Sequence, residues 1–151
     1  MMNKRGQTLV EFALIILLLL AILFGITEFG RAWYHSNALI NGVRGGARFA
    51  STLRNLSTSG SVTDSVKAYT FSQISSAIPV THNSGTPGYL LINVSTYQAP
   101  PNDNTPGSPK NGGSVKVIAR ENFNILTGSI IPFFSGPRTL VRQTTMRYQG
   151  Q

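Results

Sequence analysis

The hydrophobic pattern of this chain changes rhythm once, near residue 30. From Phe12 to Ile26 every position is apolar or glycine. Beyond Trp33 the apolar residues thin to stripes, and later to short alternating runs. Taken as one helix, Gln7 to Gly30 is 24 residues. That is about 36 Å of α-helix, longer than a hydrocarbon core of ~30 Å. Residues 7–30 therefore read as a transmembrane helix, preceded by the basic pair Lys4 and Arg5 and by Gly6.

The helical pattern does not stop there. Trp33 and Tyr34 stand where an interfacial aromatic belt belongs. Glu28 and Arg31, spaced i, i+3, can pair on one face. Ser36, Ile40, Val43, Ala47 and Ala50 repeat at 4-3-4-3 spacing, a stripe suited to packing. A second row, Ala38, Gly42, Gly46 and Ala50, sets a small residue at every fourth position and permits close approach of another backbone. Two occupants fit that ridge: the chain's own sheet, or a neighbouring subunit. Gly45–Gly46 costs ~1 kcal/mol per glycine relative to alanine and marks a place for a kink. Arg44 and Arg48 share a face, as solvated residues do. Residues 31–54 form an amphipathic continuation that ends near Arg54, before the turn-forming composition of Ser57–Ser61.

Residues 55–151 read as a small domain. Val62 to Ile78 is a short amphipathic helix, with Val62, Val66, Tyr69 or Thr70, Gln73 and Ala77 in line, and Pro79 stops it. Tyr89–Tyr97 is a strand bounded by Pro87–Gly88 and Pro100–Pro101. In Ser114–Arg120, Val115, Val117 and Ala119 face one way, and Lys116, Ile118 and Arg120 the other. Arg138–Tyr148 is a third strand, and Asn102–Gly113, rich in Pro and Gly, is an exposed loop. Phe123–Phe134 is apolar but broken by Gly128 and Pro132, as a sheet-edge cover or a contact patch would be. The sum is an α+β fold, a long N-terminal helix with a small antiparallel sheet.

Composition narrows the chemistry. The chain has no cysteine, so thiolate ligands, disulfides and cysteine nucleophiles are excluded. His35 and His82 lack metal-ligand spacing. Of the five acids, Glu11 and Glu28 belong to the first helix, Asp64 opens the second, and Asp103 lies in the loop. Glu121 alone is near the sheet, so no carboxylate pair presents itself for acid–base work. With neither a nucleophile elbow nor a phosphate-binding loop, no enzyme and no cofactor is expected. The net charge of +8 is scattered rather than gathered into a run, so no specific nucleic-acid partner is expected.

The N-terminus admits three readings. A secretory signal peptide needs small residues soon after the apolar run, but Thr27–Tyr34 is bulky and charged. A plain membrane anchor fits. So does a short basic leader ending in glycine, with the apolar helix retained after cleavage. Thr8 and Glu11 also have the spacing of a capping box.

Gly6, Gln7 and Glu11, with the carboxylate five positions after glycine, resemble the processing site of type IV pilins and pseudopilins. Glu11–Phe12 is similar to the Tad (type IVc) branch. Phe24–Gly25–Ile26–Thr27–Glu28–Phe29–Gly30–Arg31–Ala32, then Asn37–Ala38–Leu39 and Arg44–Ser51, resemble the TadE-like pseudopilins. Val115–Lys116–Val117 and Thr145–Met146–Arg147–Tyr148 resemble that family's C-terminal half more loosely. The chain departs from the family at Gly45, where a glutamate is typical, and lacks a proline near Leu17. The resemblance implies a pilin-like organisation: a leader, residues 1–6; a helix, residues 7–54; and a globular domain, residues 55–151. It implies processing at Gly6 and Gln7 by a prepilin peptidase and an assembly role for Glu11. It implies as partners other pilin or pseudopilin subunits, the inner-membrane assembly machinery and the lipid bilayer. A place in the bacterial inner membrane, with the domain outside, follows from the same resemblance. The basic residues Arg31, Arg44 and Arg48 beyond the span oppose that orientation on a simple charge tally. A minor subunit supporting pilus assembly and adhesion is the function it implies.

Overall fold

The computed structural model describes residues 4–53, 61–84, 86, 88–97, 113–126, 136 and 138–148. The first helix, α1, runs Lys4–Thr52 without a break, Gly45–Gly46 included. Because Lys4–Gly6 is already helical, Thr8 lies within the helix and cannot be its N-cap. The capping-box expectation therefore fails in this chain. Gln7 Nε2 instead donates to Glu11 Oε1 at 3.0 Å, one turn along the helix. Arg54 and Ser57–Gly60 lie outside the described residues, and so do most of the Asn102–Gly113 loop and residues 127–135.

The second helix, α2, spans Ser61–Ser75. Its buried positions are Thr63, Val66, Thr70 and Ile74, continued by Ile78 just beyond it. Gln73 and Ala77, expected on that line, are exposed. Of the two alternatives Tyr69 and Thr70 it is Thr70 that faces inward, its hydroxyl donating to Val66 O at 2.7 Å. The row then continues in fours to Ile74 and Ile78, one position beyond Gln73 and Ala77. A buried hydroxyl satisfied within its own helix can occupy a core face at little cost.

Three strands follow: β1 Leu90–Tyr97, β2 Ser114–Phe123 and β3 Arg138–Arg147. They form an antiparallel meander in the order β1-β2-β3. Val117 lies opposite Val94 on one side and Thr144 on the other. The inward parity of Val115, Val117 and Ala119 is as the alternation requires, and it extends through Glu121 and Phe123. Gly88 precedes β1 with φ of 78°, and a Cβ there would come 3.0 Å from Pro79 O. Glycine is required at that turn on both counts.

The helices form one layer and the sheet the other. Leu39, Val43 and Ala47 of α1 meet Val66 and Ile74 of α2 over Val115, Val117 and Ala119. Leu39, absent from the stripe read in the sequence, is fully buried near its centre. The result is an α+β arrangement on the upper half of α1. Among the described residues, almost everything before Trp33 is exposed.

Candidate functional site

Two regions carry the residues of interest. The first is the exposed half of α1. Residues 6–27 are exposed throughout, although they include Leu9, Phe12, Leu14–Leu20 and Ile22–Phe24. Leaving this much apolar surface in water is unfavourable at ~25 cal/mol per Å². The surface needs an apolar surround, and α1 is long and apolar enough to cross a membrane. Gly6 and Gln7 lie at its start in helical conformation, and no atom outside the helix lies within 4 Å of a Cβ built on Gly6. Glu11 sits one turn on and is held by the Gln7 amide.

The second region is the joint where α1 meets the sheet. Glu28 and Arg31 pair at 3.2 Å. Arg31 also donates to the carbonyl of Asn124, and its guanidinium lies 4.2 Å from the centre of the Phe123 ring. One turn higher, His35 Nδ1 meets Glu121 Oε1 at 2.6 Å, with both residues buried. Glu121 Oε2 is buried and has no hydrogen-bond partner among the described residues. Beside them, Arg142 of β3 donates to Ser36 Oγ through Nε and Nη2, at 2.9 and 2.6 Å. Tyr34 donates to Ala77 O, and Tyr148 to Leu53 O at the far end of α1. The helix is thus fixed to the sheet at its lower end by polar side chains and in the middle by apolar ones.

The sequence did not pair His35 with Glu121, which lie 86 positions apart. A signal was present nonetheless. Glu121 continues the inward parity of Val115, Val117 and Ala119, and an inward acid requires a partner.

The small-residue ridge is occupied from within the chain, by a third element. Gly42 and Gly46 lie against α2, not against the sheet. A Cβ on Gly42 would come 2.2 Å from Ile74 Cγ1, and one on Gly46 would come 2.0 Å from Thr70 Oγ1. Ala38 and Ala50, at the ends of the ridge, are buried in the same core. Only glycine allows the two helices to come this close.

Below the joint an apolar groove of about 550 Å³ separates α1 from the end of the sheet. Ala21, Phe24 and Phe29 form its helix wall, and Phe123, Ile125 and Leu140 face them. Arg138 also lines it.

Elsewhere His82 stacks on Phe71 with ring centres 3.7 Å apart. Among the described residues no three His, Cys, Asp or Glu side chains gather in a way that could hold a metal ion.

The family model for TadE-like protein matches residues 6–48, the span, the joint and the glycine ridge of α1. No curated protein and no solved structure matches the chain.

Proposed function

We propose, from a chain that is TadE-like over residues 6–48 and so associated with the Tad pilus system, that this protein is a minor pilin or pseudopilin. It is made as a membrane precursor, cleaved after Gly6 by a prepilin peptidase, and retained by residues 7–30 of α1. The helix first anchors the chain in the bacterial inner membrane and then enters a helical bundle with other pilin subunits. The sheet domain is presented outside, in support of pilus assembly and adhesion.

The observation that carries this reading is the contrast within one TadE-like helix. Its first part is apolar and exposed, and its second part is built into a domain. The lone acid near the start of the span, Glu11, is costly in a bilayer and marks a functional position. In the proposal its charge pairs with the new α-amino group of a neighbouring subunit's Gln7. Lys4–Gly6 and the span belong to one helix, so a peptidase must open it at Gly6, where glycine lowers the cost by ~1 kcal/mol.

The test is the intact mass and N-terminus of protein purified from membranes, with and without the peptidase. An N-terminus at Gln7 that depends on the peptidase is expected. An uncut Met1 would make the protein a bitopic anchor outside any filament, and a start beyond Ile26 would make it a secreted domain. Glu11→Gln sharpens the result, since it keeps a polar partner for Gln7 and removes the charge. The variant is expected to be processed yet to fail in pilus assembly; normal pili would overturn the charge-pairing role.

A further inference from the structure

The groove beside residues 21–32 is explained neither by the fold nor by the assembly role. Resting on the reading that residues 7–30 span a membrane, we propose that the sheet's lower end sits in the leaflet on its own side. The groove then holds a phospholipid, with its acyl chain between Phe24 and Phe123 and its phosphate on Arg138.

Depth is the first argument. Ala21 lies nine residues before Gly30, about 14 Å along the helix. A groove walled by Ala21 therefore reaches into the hydrocarbon. Phe123, Ile125 and Leu140 line the same groove, so the sheet comes down beside the span and does not stop above it.

Continuity is the second. Ala21 and Phe24 belong to the exposed apolar surface of the span, and whatever solvates that surface reaches the groove. Leu126, next to the lining residue Ile125, is 62% exposed. In water that is a cost, and among acyl chains it is not.

Charge selects the occupant. Arg138 is exposed, and while its backbone lies in the β2–β3 ladder opposite Phe123, its guanidinium forms no hydrogen bond or ion pair with any described residue. The carboxylate that lines the groove, Glu28, is already engaged by Arg31. A second copy's helix alongside would bring apolar side chains and its own Glu28 to this level, but that carboxylate is already paired with its own Arg31, and its Glu11 lies at the other end of the span. A phospholipid supplies both an apolar chain and a phosphate. Trp33 and Tyr34, exposed on the same helix just above, mark the headgroup level.

The chain contains no cysteine, so single nitroxide labels can be placed on the full-length protein. Phe24→Cys, Leu126→Cys and Ala68→Cys are labelled in vesicles of phosphatidylcholine and phosphatidylglycerol in equal parts. Accessibility to oxygen is compared with accessibility to a water-soluble nickel chelate. Labels at 24 and 126 are expected to favour oxygen, and the label on α2 at 68 to favour nickel. Position 126 in water with 24 in lipid overturns the proposal and leaves the spanning reading intact. Position 24 in water overturns the spanning reading itself. Position 126 shielded from both reagents, with spin broadening that vanishes on dilution with unlabelled chain, means that a second copy fills the groove and also overturns the proposal. Arg138→Gln is expected to lower the ratio of phosphatidylglycerol to phosphatidylcholine that co-purifies by about fivefold. An unchanged ratio would remove the phosphate from Arg138.

Discussion

The two halves of α1 make an instructive pair. They are one continuous helix, and each contains glycines, yet the glycines answer to different neighbours. A Cβ on Gly25 or Gly30 would meet no atom beyond its own helix within 4 Å. On Gly42 or Gly46 it would run into α2. The lower half keeps its surface for something outside the chain, whereas the upper half has spent its surface on its own domain. Small residues thus mark close approach only where a partner is already in place. In the upper half α2 fills the ridge that would otherwise have been open to a neighbour.

The junction between the halves offers the largest test. Glu121→Ala leaves His35 buried opposite a void, and it is expected to destabilise the domain by about 3 kcal/mol. Thermal unfolding of the full chain in detergent, followed through the aromatic circular dichroism, measures this. The double change His35→Leu with Glu121→Leu is expected to recover most of the loss, since a well-packed apolar pair dispenses with desolvation. A double variant as unstable as Glu121→Ala would show that the pair is needed for more than mutual satisfaction.

A smaller effect separates the two sets of glycines. Gly46→Ala gains helix propensity of ~1 kcal/mol but must displace the buried Thr70, at a cost of ~1–3 kcal/mol. A net loss of about 1 kcal/mol is expected by the same assay, relieved in part when Thr70→Ala is combined with it. Additive losses in the pair would mean that the contact with Thr70 does not limit the approach.

The smallest effect is expected in the lower half. Gly25→Ala and Gly30→Ala should cost the isolated protein nothing and can add up to ~1 kcal/mol from helix propensity. A clear loss of stability at either position would reveal an intramolecular contact for the span and erase the contrast between the halves.

Local rules carry a sequence reading far in this chain and then stop at identifiable places. The apolar run and the inward parity of β2 were legible because each depends on neighbours a few positions away, while α2 ends at Ser75 and not at Ile78 before Pro79. The capping box was misread because its geometry presumes a helix start at Thr8, whereas Lys4–Gln7 are already helical. The face of α2 departs by one position at its C-terminal end, where Ile74 and Ile78 are buried in place of Gln73 and Ala77, because a strict four-residue row runs through Thr70, whose hydroxyl is satisfied within the helix.

What the sequence determined by itself is the division of labour: an unbroken apolar helix that requires a membrane or a bundle, then a small α+β domain without thiol chemistry. These follow from periodicity and composition, which act over one or two turns. What only the tertiary structure decided is who meets whom. It put α2 on the glycine ridge, His35 against Glu121, and the end of the sheet beside Phe24. Those contacts join positions dozens of residues apart, and their partners are selected by how closely two backbones can approach and by the need of a buried charge or donor for a complement. No local pattern encodes that choice, because many side chains satisfy the same rule and the packing of the domain selects among them.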